Sequence, residues 1–341
     1  MVAHPAAIRK FQLELLRWFD ANARDLPWRR TDDPYHIWVS EIMLQQTRVA
    51  AVLDYYARFL TRFPTVSALA LAEEPAVLAA WSGLGYYRRA KLMHQAAKVV
   101  VRDHQGTLPR SADQLRTLPG IGEYTSAAIA SIAFGEPAAA VDGNIERVLL
   151  RVFPEEENLS AKELSTRAAT LLDSQRPGDF NQAMMELGAT VCLPQRPLCL
   201  QCPVHEFCAT RGEHRTAPPK KMHSREIAYA LLSRQRAGAT QVLLQQRPSS
   251  ASLMPGMWEL PEVVSDESDG LRVEIVVRHA ITVTNYRVHV LRFSEKEAAR
   301  RWAAQEYPRQ WTESSELSRL PLTGLARKVL RRLQIMPKEV R

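Results

Sequence analysis

Long apolar runs are missing from this 341-residue chain. None reaches the roughly 18 residues that a membrane-crossing helix needs, and no apolar segment follows the first basic residues. The expectation is a soluble protein of the cytoplasm (nucleoid-associated if bacterial). Cysteine is missing everywhere except between positions 192 and 208, which excludes disulfides stapling distant elements. An acidic excess is missing too: 45 Lys and Arg face 37 Asp and Glu, a formal net charge of +8. That balance favours a polyanionic partner, nucleic acid first and an acidic membrane surface second, although a merely basic enzyme has the same balance. Apolar residues make up 46%, so the chain is globular, with length for two or three domains.

What is present is concentrated in a few stretches. Cys192, Cys199, Cys202 and Cys208 are spaced C-x6-C-x2-C-x5-C, a metal site by chemistry. Four thiolates suit an iron–sulfur cluster and a zinc ion equally. Upstream, Ser111–Leu118 reads as a helix ended by Pro119, and Gly120-Ile121-Gly122 permits a tight turn before a helix from about Tyr124 to Phe134. That second helix is small and apolar nearly all round, so burial is expected. A bare turn at a helix N-terminus suits a phosphate, and an ordinary αα-turn reads the same way. Val141-Asp142-Gly143-Asn144 then opens a helix over Ile145–Arg151, with Asp142 as its N-cap or as a carboxylate kept ionised at a helix N-terminus.

A helix from about Tyr35 to Arg48 places Glu41 among Ile37, Trp38 and Leu44, on an apolar face. A carboxylate there is either salt-bridged to an arginine or raised in pKa, as a general acid requires. With Asp142 as an anion it would form the acid/anion pair used on glycosidic bonds. An amphipathic helix over Ile8–Phe19 leads to the basic-aromatic turn Arg24–Arg30, a base-stacking surface or a packed loop anchor. Ser82–Arg89 joins a glycine turn to Tyr86-Tyr87 and Arg88-Arg89, either a tip for a base stack or a tyrosine pair closing a core. After the cysteines a polar, proline-bearing linker leads to β-like runs at Ile227–Ser233, Gln241–Gln246, Val273–Val277 and Thr282–Phe293, then a helix from about Thr323 to Leu333.

Leu118–Gly122, Val141–Asn144 and the cysteine spacing together resemble the endonuclease III superfamily of helix-hairpin-helix DNA glycosylases. Pro27–Arg29, Ser40–Thr47, Gly83–Tyr87 and Met185–Gly188 resemble its adenine-specific branch. The resemblance implies an all-α helix-hairpin-helix glycosylase core, with a six-helix lobe (30–135) and an iron–sulfur helical lobe (1–29 and 136–212). A linker (213–226) would join it to a smaller α+β Nudix-like domain (227–341) that reads 8-oxoguanine.

The implied activity is removal of adenine mispaired with 8-oxoguanine or guanine in double-stranded DNA, by a monomer bearing one 4Fe–4S cluster on the four cysteines. By the same resemblance Glu41 is the acid, Asp142 stabilises the oxocarbenium-like sugar, and Asn144 helps orient it. Tyr124 stands where bifunctional relatives carry a Schiff-base lysine; a phenol forms no imine, so strand cleavage is not expected. Trp28, Arg29, Leu44, Val49 and Glu186 match the adenine pocket. Gln46 and Tyr86 match residues inserted into the duplex, Thr47 and Leu84 contacts near the lesion, and Gly120 and Gly122 the hairpin on phosphate. Arg196, Arg211 and Arg215 would meet phosphate near the cluster. Pro255–Pro261 matches the second domain, but Ile281-Thr282-Val283 stands where the family carries Phe-Ser-His, leaving Thr282 as the polar lesion contact. The chain has no G-x5-E-x7-R-E-x2-E-E motif, against a nucleotide-cleaving hydrolase. The rivals are a glycosylase of the superfamily for another mismatched base and a non-catalytic lesion-binding protein.

Overall fold

Prolines and side-chain caps set where the helices begin. In a computed structural model, which describes residues 4–153, 159–212, 221–263, 272–281, 283–297 and 307–336, α1 (Pro5–Asn22) and α2 (Pro34–Leu44) both start on proline. Asp33 caps α2 by accepting from the Tyr35 N–H at 2.8 Å. Then follow α3 (Val49–Arg62), α4 (Val66–Leu71), α5 (Glu74–Trp81) and α6 (Arg88–Asp103). After α7 (Ala112–Leu115) come α8 (Glu123–Phe134), α9 (Gly143–Val152), α10 (Ala161–Leu171) and α11 (Pro177–Thr190). A capping box of Ser160 and Glu163 starts α10.

Two expected boundaries move. The helix expected to reach Arg48 stops at Leu44, because Gln46 takes a left-handed backbone (φ 56°) that no α-helix continues through. The helix expected over Ser111–Leu118 contracts to α7, with turns carrying the chain to Pro119.

The chain divides into two units, one of residues 1–71 and 92–217, the other of 72–91 and 218–341. In the first unit, Phe11, Leu15 and Phe19 of α1 pack with Val148 and Leu149 of α9 and Phe180, Met184 and Leu187 of α11. Each such side chain contributes about 1.5–3 kcal/mol of apolar burial. Residues Thr125–Ser131 of α8 are buried, as its small apolar sequence predicts. Glycines on α11 allow the close approach of α8 and α9. A Cβ on Gly178 would lie 2.7 Å from the Ser131 carbonyl, and one on Gly188 would lie 2.6 Å from the Asn144 Cβ.

The second unit is α+β. Its strands are β1 (His223–Leu231), β2 (Ser233–Arg236), β3 (Ala239–Gln246), β4 (Trp258–Glu259), β5 (Glu262–Val263), β6 (Val273–Ile281), β7 (Thr284–Arg292) and β8 (Arg309–Glu313). One sheet runs β5-β1-β7-β6, parallel only between β1 and β7. The other runs β2-β3-β4, with β8 also paired to β3. Tyr229, Val242, Leu244, Val277, Val288 and Val290 pack with Leu325, Val329 and Leu330 of the last described helix, α12 (Gly324–Arg332). The run expected as one strand from Thr282 begins at Thr284, since Val283 lies in the turn after β6. Thr282 lies outside the described residues, as does Arg215. No described helix is long and apolar enough to cross a membrane.

Candidate active site

Four segments of the first unit line one cavity of about 760 Å³. The turn after α1 contributes Arg24, Trp28 and Arg29; α2, its turn and the start of α3 contribute Glu41, Leu44, Gln46, Thr47 and Val49. The hairpin and the two helices after it bring Gly120, Gly122, Tyr124, Asp142 and Asn144, and α11 adds Gln182, Met185 and Glu186. That volume is in the range of small-molecule sites.

Glu41 is buried, and its Oε2 accepts from the Tyr124 hydroxyl at 2.6 Å. Burial pushes its carboxyl up to about 7; the Tyr124 hydrogen bond works against the rise, the charge of Asp142 adds to it, and Arg29 opposes it. The alternative is a salt bridge to an arginine; Arg29, the arginine whose charge acts on Glu41, instead donates its Nη2 to Glu186 Oε2 at 2.9 Å. Tyr124 has its own pKa raised by burial and by both neighbouring carboxylates, so it is a neutral donor, and its hydroxyl lies 3.4 Å from the Met185 sulfur.

Asp142 is an N-cap and a site residue at once. Its Oδ1 accepts from the N–H groups of Asn144 and Ile145 at 2.9 and 2.8 Å, and its Oδ2 accepts from the Asn144 amide at 2.7 Å. Asn144 is fixed in turn by Arg147, whose Nη2 donates to Asn144 Oδ1 at 2.9 Å and to the Gly188 carbonyl at 2.6 Å. The Arg147 Nε donates to the Cys192 carbonyl at 2.8 Å, so the aspartate is tied through two side chains to a cysteine backbone.

Glu186 is 1% exposed and receives four bonds: the Arg24 N–H (3.1 Å), Arg24 Nε and Nη2 (2.7 Å each) and Arg29. Burial pushes its pKa up, but the Arg24 and Arg29 hydrogen bonds outweigh that and hold it down at about 2. Arg147 and Gln182 were not singled out from the sequence, and Arg24 and Met185 entered only as members of the Arg24–Arg30 turn and the Met185–Gly188 motif. Arg147 carried a signal, since it lies three residues after Asn144 on one helix face.

The hairpin glycines differ in kind. Gly120 holds φ 77°, and a Cβ there would lie 2.6 Å from the Leu92 Cβ, so glycine is forced. Gly122 has an ordinary backbone and nothing within 4 Å of an added Cβ, which leaves the approach to the α8 N-terminus open. Leu84 and Tyr86 belong to the other unit; Leu84 is buried, whereas Tyr86 is 47% exposed with φ 49°. Gln46 and Tyr86, the two residues matched to duplex insertion, both hold the left-handed backbone that non-glycine residues seldom adopt.

Cys192, Cys199, Cys202 and Cys208 line a second, small cavity with Arg151. Among the described residues no three His, Cys, Asp or Glu side chains close on a single ion. The surroundings suit a negatively charged group: Arg151 is 1% exposed, its Nη1 donates to Cys192 Sγ at 3.2 Å, and its Nε has no acceptor among the described residues. The Arg211 N–H also donates to Cys208 Sγ, at 3.4 Å.

The HhH-GPD superfamily of base excision DNA repair proteins matches residues 39–173. The adenine DNA glycosylase of Mycobacterium tuberculosis is 41% identical over 210 residues, 60% of this chain and 68% of that protein. The chain belongs to the adenine DNA glycosylase family of the HhH-GPD superfamily. The adenine DNA glycosylase of Homo sapiens is 39% identical over 327 residues, 78% of this chain and 60% of that one. This member of the family spans 60–62% of the length of its mammalian relatives. Its fold also matches a thermostable thymine-DNA glycosylase at 32% identity and a TM-score of 0.56, covering 60% of this chain and 96% of the other.

Proposed function

We propose that the chain is a monofunctional, MutY-type glycosylase that removes adenine mispaired with 8-oxoguanine or guanine in DNA. One observation carries the reading: a buried carboxylic acid with its pKa raised to about 7 shares a cavity with a second carboxylate held by three donors. In this mechanism adenine leaves the stack and enters the cavity, with Trp28, Leu44 and Val49 against its faces and the Arg24–Arg29–Glu186 cluster at its polar edge. Glu41 delivers its proton to N7 of the base, with Tyr124 fixing the carboxyl. The glycosidic bond breaks toward the base, and Asp142, oriented by Asn144, faces the positive charge left on the sugar. Water completes the hydrolysis, and no amine stands where an imine would form.

Gly120 and Gly122 bring the α8 N-terminus to backbone phosphate, while Gln46 and Tyr86 insert into the duplex. The C-terminal unit is a Nudix-like reader of the partner base, and residues 30–71 and 92–135 with the cysteine lobe form the catalytic core. The four cysteines would hold a 4Fe–4S cluster, a group large enough to meet thiols that stand round a cavity rather than at one point. When bound it supplies charge and cross-linking to the lobe, not electrons for the hydrolysis.

The test is single-turnover incubation with duplexes carrying each mispair, with and without borohydride. The expected result is free adenine, an intact strand and no trapped adduct. Release of thymine or uracil instead would favour the branch represented by the thymine-DNA glycosylase relative, and binding without base release would leave a lesion-binding protein.

A further inference from the structure

The exposed Tyr86 sits on a short segment between α5 and α6 that groups with the C-terminal α+β unit. The hydrogen bonds explain why. The Ser82 hydroxyl donates to the Leu322 carbonyl at 2.6 Å, and the Arg327 Nε donates to the Ser82 oxygen at 3.1 Å. The Tyr87 hydroxyl reaches the same carbonyl at 3.3 Å and accepts from the Gly83 N–H at 3.2 Å. Ser82, Leu322 and Arg327 are all buried. Leu322 bridges Trp258 of β4, so this anchor is the end of a sheet rather than a free loop. The tip is cross-braced: Trp81 Nε1 and Arg89 Nη2 both donate to the Gly85 carbonyl at 3.2 Å, and the Arg89 guanidinium lies 5.4 Å from the Trp81 ring and 5.5 Å from the Tyr86 ring.

We infer that Arg327, acting through the Ser82 hydroxyl and the Leu322 carbonyl, is a positioning residue for the Tyr86 tip, so that the lesion-reading unit carries the group that wedges the duplex. The inference rests on Tyr86 being that wedge. It assigns α12 and Ser82 a part in opening the mispair, though neither touches the reacting base. A buried hydroxyl shared by an arginine and a carbonyl is costly to disturb, because its loss takes one hydrogen bond from each. Losing it loosens the tip's hold on the sheet, and none of Ser82, Leu322 and Arg327 lines the cavity around Glu41.

The test compares Arg327→Met and Ser82→Ala with Tyr86→Ala, Ser82→Ala removing one oxygen should Arg327→Met fail to fold. A 2-aminopurine beside the mispair reports insertion by brightening when it is unstacked. Base release is timed in single turnover on the mispair and on adenine opposite an abasic analogue, whose extrusion costs little. Each variant is expected to lose the brightening and to slow release from the mispair about tenfold, and Arg327→Met and Ser82→Ala to keep release opposite the abasic analogue within about threefold of the parent. Adding Tyr86→Ala to Ser82→Ala should cost no more than either alone. Undiminished brightening in the folded variants, or equal slowing on both duplexes, would overturn the inference. A parent chain that releases no base would end the glycosylase reading instead, while the brightening, which needs no chemistry, would still report on the tip.

Discussion

Glu41 ties the chemistry to pH through its environment. Its carboxyl is pushed up to about 7 chiefly by burial, so the protonated form needed for the acid is lost as pH rises through that value. Base release is therefore expected to fall about tenfold per pH unit above neutrality. Glu41→Gln should abolish it while leaving duplex binding intact, and retained single-turnover release by that variant would remove Glu41 from the role. Tyr124→Phe gives a sharper test of cause. The Tyr124 hydrogen bond lowers the Glu41 pKa, so its removal should carry the descending limb to higher pH. A limb that stays put, or moves down, would mean that the phenol does not set the acid. Stability follows the same sign. Between the unfolded value near 4.5 and the folded one near 7, the native state alone holds the proton, so stability falls as pH rises, by roughly 1.4 kcal/mol per unit. Chemical unfolding of the parent and of Glu41→Gln across that window isolates this contribution.

The hairpin and the α9–α11 contact allow matched substitutions. Gly120→Ala meets the Leu92 Cβ at 2.6 Å in a positive-φ backbone, so a cost of about 1–3 kcal/mol in unfolding free energy is expected. Gly122→Ala meets nothing and should fold normally, yet it puts a methyl at the proposed phosphate contact. Its mark is weaker binding with a salt slope reduced by about one contact; unchanged binding would take the hairpin off the phosphate. Gly188→Ala would drive α11 from α9 at Asn144 and cost about 1–3 kcal/mol, read as a lower Tm and slower base release together. Much at this scale was legible. The buried character of α8, the Asp142 cap and the apolar setting of Glu41 follow from spacing within a few residues. Less legible was anything joining distant residues: the Arg24–Glu186 pair spans 162 positions, and nothing local marks Arg24 as its partner. The end of α2 was misread because Gln46 is a good helix former whose left-handed backbone comes from the turn into α3, not from its own propensity.

The division into units was the least legible feature, and it bears on stability. Residues 72–91 read as one more helical stretch of the core, yet they group with strands more than 130 residues later, because Ser82 and Tyr87 meet Leu322. Such non-contiguity leaves no trace in periodicity. The cysteine lobe, by contrast, lies wholly in the first unit, and Cys192 and Cys202 pack against the core that α1, α9 and α11 share. A cluster bound there would offset the buried Arg151 charge and, through Cys192 and Arg147, hold Asn144 against Asp142. Iron removal should then act on one unit. Oxidative loss followed by chelation is expected to raise amide exchange along α9 and α11 and to slow base release, with β1, β3 and β7 keeping their protection. The untreated protein should show a charge-transfer absorbance that vanishes with the iron. Uniform loss of protection in both units would deny the cysteine lobe a local role, and unchanged exchange in α9 would break the proposed route from the cysteines to Asp142.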